Sequence, residues 1–127
     1  MTNTIYRNQF LSLRSRRLAE ATREFLARGK SVIRCEDCQL AAYACICRWR
    51  PTLEVRSEFI LLMHRDEVLK PTNTGRLIAD VLPANTHVFC WSRTEPDEAL
   101  MKLLRDPQRR CLIVFPEEAN EAAANSR

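Results

Sequence analysis

The sequence predicts an α/β protein: an N-terminal helix, a small four-cysteine module, and then a parallel βαβαβ arrangement. Three observations carry this. Four thiols crowd into RCEDCQLAAYACIC as C-x2-C-x6-C-x-C. Residues 8–28 contain neither Gly nor Pro. Three short, continuous apolar runs, FILLM, VFCW and LIVF, are separated by segments of helical character. Continuous runs, unlike alternating ones, are expected of strands covered on both faces of a parallel sheet.

In the first segment Leu11, Leu18 and Phe25 recur every seven residues, which predicts a narrow apolar seam along a helix that stops at Gly29. Arg14, Arg17 and Arg28 flank that seam, and Arg16 and Arg23 project from the far side. The helix is therefore expected to dock on the protein while showing cations to a partner, a face that ordinary solvation would also explain. Residues 1–50 carry ten Lys or Arg against four Asp or Glu, whereas 51–127 carry ten against twelve. Such a basic front half is a footprint for a polyanion such as RNA.

Cys35, Cys38, Cys45 and Cys47 read as a metal site, because thiolates this close in sequence reach one tetrahedral centre after a single chain reversal. Zinc is the first reading. A pair of disulfides needs an oxidising compartment, and MTNTIYRNQFLSLRSRR holds no apolar h-region to take the chain there. An iron–sulfur cluster uses the same ligand type at different usual spacings and stays open. Cys90 and Cys111 stand in apolar runs and read as small core residues.

Pro51 marks a linker. Phe59 to Met63, Val88 to Trp91 and Leu112 to Phe115 then read as strands. In the first intervening helix Leu77, Ile78, Val81 and Leu82 share a face, with Asn73 or Thr74 as the expected cap and Pro83 at the exit. In the second, Thr94 is the expected cap, Pro96 and Asp97 suit the first turn, and Lys102 and Arg105 the last. The tail EEANEAAANSR has no apolar run and is expected to fray.

Parallel sheets bind ligands outside the carboxyl ends of their strands, so HRDEVLKPTNTGRLI, after the first strand, is the place for chemistry. His64, Arg65, Asp66, Glu67 and Lys70 crowd the strand exit. Thr72, Asn73, Thr74 and Gly75 lead into a helix start whose amides favour an anion. Gly75 is one of only two glycines, which points to close backbone approach or a special dihedral angle. His64 is a candidate base or donor, though a lone His at a strand end also serves structure.

With 127 residues, 46% hydrophobic and 28% charged, the chain suits one soluble domain. No apolar run approaches the roughly 20 residues of a membrane span. A cytoplasmic, membrane-free protein is expected.

The order RCEDCQLAAYACIC, FILLMHRDEVLKPTNTGRLIADVLP and RCLIVFP closely resembles the DTW-domain family of tRNA-uridine aminocarboxypropyltransferases, from about Arg34 to Pro116. The resemblance implies a SPOUT-like fold and an enzyme that moves the 3-amino-3-carboxypropyl group of S-adenosylmethionine to N3 of a tRNA uridine. By the same resemblance Thr72, Asn73, Thr74, Gly75 and Arg76 belong to the cofactor pocket, with His64 and Glu67 as catalytic candidates bordering it. Cys35, Cys38, Cys45 and Cys47 are then a structural, RNA-facing zinc module, and Arg14, Arg16, Arg17, Arg23 and Arg28 the basic RNA-binding arm. The expected division is 1–34 arm, 35–50 module, 51–116 first half of the transferase domain, and 117–127 tail. The chain departs from the family in having no Asp-Thr-Trp tripeptide, so an incomplete domain, inactive alone and able to self-associate through its sheet edges, is expected. A non-catalytic zinc-containing RNA-binding module and a zinc adaptor for protein are the competing readings.

Overall fold

The computed structural model describes residues 6–21 and 32–116. They fall into two compact units, Met1–Asp97 and Glu98–Arg127. The first holds helix α1 (Gln9–Glu20), strand β1 (Phe59–Met63), helix α2 (Arg76–Val81) and strand β2 (Thr86–Cys90). The second holds helix α3 (Glu98–Arg105).

β1 and β2 pair in parallel with Phe59 beside Thr86 and Met63 beside Cys90, and α2 is the crossover between them. Past the last pair, Trp91 donates its backbone N–H to the Met63 carbonyl at 2.7 Å. Phe10, Leu11 and Leu13 of α1 close over Met63, Val68, Ala79 and Val88, with Leu61 and Cys90 packed at the margin. Burying such side chains contributes about 1.5–3 kcal/mol each. This is why the first turns of α1 are fixed on the sheet.

The start of α1 is built by two side chains. Asn8 caps the helix by accepting from Leu11 N–H at 2.9 Å. Gln9 Oε1 accepts the Val88 N–H at 3.2 Å, so a backbone donor on the outer edge of β2 is satisfied by a side chain where a third strand would otherwise pair.

Several expectations need correction. The helix ends at Glu20, not near Gly29, and Ala21 is already extended. Gly29, Phe25, Arg23 and Arg28 lie outside the described residues. Of the heptad seam, Leu11 is buried in the core but Leu18 is 46% exposed, so the seam does not continue as the buried face. Contacts with the core concentrate at Phe10, Leu11 and Leu13, and the later turns, without that support, have only weak intrinsic stability. The β1 strand is not covered on both faces: Ile60 and Leu62 stay exposed while Met63 is buried. Leu112 to Phe115 form no strand among the described residues and are 77–97% exposed. A run of β-favouring residues becomes a strand only when a neighbour completes its hydrogen bonds, and that partner is a non-local property. The expected βαβαβ is therefore a single βαβ unit in the described residues.

Helix caps differ too. α2 begins at Arg76 with Gly75, which has no side chain to cap with, at the cap position; Asn73 serves the helix start instead by accepting the Gly75 N–H. α3 begins at Glu98, after Thr94, Pro96 and Asp97, and does carry Lys102 and Arg105 in its last turn.

Candidate metal centre and strand-exit loop

The chain from Arg34 to Trp49 folds tightly around its sulfurs. Arg34 and Ala41 form an isolated antiparallel bridge. Between them Gln39 N–H donates to the Cys35 carbonyl and Cys35 N–H to the Leu40 carbonyl, both at 2.9 Å. Gln39 sits at φ 62°, the left-handed region that closes the turn after Cys38. Its side chain offsets that strain, donating from Nε2 to the Glu36 carbonyl at 2.7 Å, while its own carbonyl accepts from Arg34 at 2.9 Å. Two short helical turns, Ala42–Ala44 and Cys47–Trp49, bring the second cysteine pair back over the first.

Cys35 and Cys47 sulfurs stand 3.7 Å apart and those of Cys38 and Cys45 3.8 Å apart. All four lie within 4.8 Å of one another. Tetrahedral ligation at about 2.3 Å per Zn–S bond demands a sulfur–sulfur edge of about 3.8 Å. The thiols therefore fit a single metal ion such as zinc. No pair is a disulfide; all six cysteines but those of the unassigned Cys90 and Cys111 belong to this cluster, and all are free. One iron would fit the same edge, whereas a multi-iron cluster, whose own core stands between its thiolates, needs wider spacing.

The electrostatics suit thiolate ligation. Burial opposes ionisation of Cys38, but backbone N–H groups of Ile46 and Leu40 and the thiols of Cys35 and Cys47 outweigh it and bring Cys38 down to about 7. Burial, with the neighbouring thiols and the Cys38 charge, pushes Cys47 up to about 12. Four negative sulfurs this close repel strongly, and a divalent cation at their centre relieves that repulsion.

At the other end of the unit, the segment after β1 is pinned from below and polar above. Val68 and Leu69 are buried, anchoring the short helical turn Glu67–Leu69. His64, Asp66, Thr72 and Thr74 are exposed, and Glu67, Asn73 and Gly75 half-buried. His64 Nδ1 accepts the Asp66 N–H at 3.2 Å, which leaves Nε2–H as the outward donor of the neutral ring. Glu67 Oε1 accepts from Lys70 Nζ at 2.6 Å, a hydrogen bond that raises the Lys70 amine above its ordinary range.

Asn73 spends its amide inside. It donates to the Glu67 carbonyl and to Met63 Sδ, each at 3.2 Å, and accepts the Gly75 N–H at 3.0 Å. Gly75 has ordinary helical dihedrals, φ −56° and ψ −32°, so a special backbone angle is not its reason. A Cβ there would stand 3.3 Å from both Asn73 Oδ1 and Met63 Cε; the close approach is to the protein's own side chains.

Arg76 is buried, and its guanidinium faces Asp80 at 3.5 Å. Arg50 approaches the same carboxylate at 3.4 Å, and Asn8 donates to it at 3.1 Å. Sequence reading passed over this buried network, although a lone acid among Leu77, Ile78, Val81 and Leu82 was a visible sign of it. Of the basic arm, Arg16 is exposed. Arg17 pairs with Glu20 at 3.1 Å, and burial pulls Arg14 below its ordinary range, partly countered by Glu36.

No helix among the described residues is long and apolar enough to cross a membrane. A family model described as the DTW domain matches residues 32–127, taking in both the sulfur cluster and the strand-exit loop. No solved structure matches the chain.

Proposed function

The chain belongs to the DTW-domain family, which is associated with tRNA-uridine modification, and from that membership we propose that it is a tRNA-uridine aminocarboxypropyltransferase. The supporting observation is that one family match spans a metal-ready four-thiol module and a polar turn at the carboxyl end of a parallel strand. In this reading the chain forms part of a SPOUT-like fold and divides into the 1–34 arm, 35–50 module, 51–116 first half of the transferase domain and 117–127 tail. The site of action is the cytoplasm.

S-adenosylmethionine, as co-substrate, supplies an electrophilic γ-carbon: uridine N3 loses its proton and bonds to that carbon, and the carbon–sulfur bond breaks with its electron pair going to sulfur as methylthioadenosine leaves. Orientation decides the product, because the methyl carbon is attached to the same sulfonium. Thr72, Thr74 and the backbone around Gly75 would hold the cofactor, with Asn73 keeping the turn in shape and Arg76 fixing the helix behind it. Glu67 retains Oε2 as a proton acceptor, and His64 offers Nε2–H as a donor. The zinc held by Cys35, Cys38, Cys45 and Cys47 is structural, because four protein ligands leave no open position.

The test is to incubate metal-loaded protein with unmodified tRNA and S-adenosylmethionine, digest the RNA, and analyse nucleosides by mass spectrometry. Aminocarboxypropyluridine and an equal amount of methylthioadenosine are expected. The second reading, a non-catalytic zinc-containing RNA-binding module, is favoured by the internal engagement of Asn73 and Arg76. It predicts salt-dependent tRNA binding with neither product formed.

A further inference from the structure

We propose that the cysteine module is a stacking platform for unpaired nucleotides of an RNA, seated on Trp49 and Tyr43. This rests on the tRNA-directed reading above and adds the surface that grips the strand. Tyr43 is 92% exposed and Trp49 67% exposed. Both ride on the short helical turns that flank the sulfur cluster, Tyr43 two residues before Cys45 and Trp49 two after Cys47. Their backbones are fixed by Ala44 N–H to the Ala41 carbonyl at 2.8 Å and Trp49 N–H to the Ile46 carbonyl at 3.0 Å. A metal-clamped support with two large rings turned to solvent gains no burial from those rings. Exposed aromatics on a fixed backbone are what base stacking uses.

Charge selects the partner. The Arg48 guanidinium lies over the Trp49 ring, 4.3 Å from its centre, so it covers one face of the indole and keeps a cation within reach of the phosphate of a base stacked on the other. Glu36 and Asp37 lie in the turn between Cys35 and Cys38, away in sequence from both aromatic turns. A hollow of about 180 Å³ opens at the foot of Trp49, lined by Ile46, Trp49 and Arg50 and by Leu77, Asp80 and Val81. That volume is well below the roughly 300 Å³ at which pockets begin to enclose a drug-sized ligand.

The experiment uses full-length zinc-loaded protein and labelled oligouridylate, with intact tRNA in parallel. In a Trp91→Phe background Trp49 is the one remaining tryptophan, and its fluorescence is expected to fall as oligouridylate binds. Trp49→Ala and Tyr43→Ala should each weaken binding of both RNAs by about five- to a hundredfold, the range seen when a stacking ring is removed. Trp49→Phe should restore most of the loss, and zinc content should stay at one ion per chain. Tyr43 is so exposed that its loss leaves folding intact, so it carries the test even if Trp49→Ala is unstable. Undiminished tRNA affinity in zinc-loaded Tyr43→Ala, with Trp49 fluorescence unquenched in the Trp91→Phe protein, overturns the platform and leaves the transferase reading standing. Failure of the parent protein to bind tRNA at all overturns both. Loss of self-association on Tyr43→Ala with RNA binding unchanged assigns the rings to a second copy of this chain instead.

Discussion

Asp80 shows how much one side chain can hold. Its carboxylate is buried between the guanidiniums of Arg50 and Arg76 and takes a hydrogen bond from Asn8, while its backbone carbonyl accepts from Arg7 at 3.2 Å. It thereby joins the start of α1, the end of the cysteine module and α2. Nε of both Arg50 and Arg76 is buried without a hydrogen-bond partner, so these cations already have little to spare. Asp80→Ala strands two buried positive charges and is expected to lower stability by about 3–5 kcal/mol, read as a reduced urea midpoint with an unchanged slope. A loss under about 1 kcal/mol would mean that water reaches the pair. In the cysteine cluster, Cys47, pushed up to about 12, must lose its proton to solvent before it can bind a cation at neutral pH. Protonation competes with ligation, so zinc affinity rises with pH, by about tenfold per pH unit for each proton displaced. Chelator competition at pH 6 and pH 8 measures it, and equal affinities would rule out ligation by Cys47.

At the scale of elements, the module and α1 are supported in different ways. The module buries Cys38 alone among its apolar residues, so a metal ion held by its thiols would supply what a hydrophobic core does elsewhere. Removing zinc, or changing Cys38→Ser, is expected to open residues 35–50 to rapid hydrogen exchange while β1 and β2 stay protected. Protection lost everywhere at once would show that module and sheet unfold as one. In α1 the anchor is Phe10, 1% exposed, and Phe10→Ala should cost about 3–5 kcal/mol. The metal cluster was legible in sequence because its ligands are near neighbours whose spacing constrains their geometry. The face of α1 was not, since a heptad repeat describes a helix and says nothing of where its support ends. Leu18 keeps the repeat and lies past the core.

For the whole molecule the question is where a mildly basic protein would meet the proposed tRNA partner. Arg16 is exposed, while Arg14 and Arg17 are partly buried and occupied by packing or pairing. Arg16→Glu is therefore the clean test of the arm: tRNA affinity should drop, and the slope of log affinity against log salt should shrink by about one if Arg16 meets one phosphate. An unchanged slope would move recognition to the cysteine module and its rings. The strand-exit loop lies after β1, and the loop's buried Val68 shares the core with Phe10 of α1. A stable α1 is thus also a condition for a well-formed loop.

By itself the sequence determined what short range can dictate: the four-thiol cluster, a parallel strand at 59–63 and a second expected at 88–91, where the structure has 86–90, with a helix between them, and the polar turn after the first strand. These follow from spacing and local hydrophobic pattern, which act over a few residues. Tertiary structure alone decided which face of α1 is buried, that Gln9 occupies the β2 edge at Val88, that Leu112 to Phe115 form no strand among the described residues, and that Asn73 and Arg76 turn inward. Each of these depends on a partner distant in the chain. Hydrogen bonds and charges are satisfied by whichever group the fold brings within reach, and no local pattern names that group.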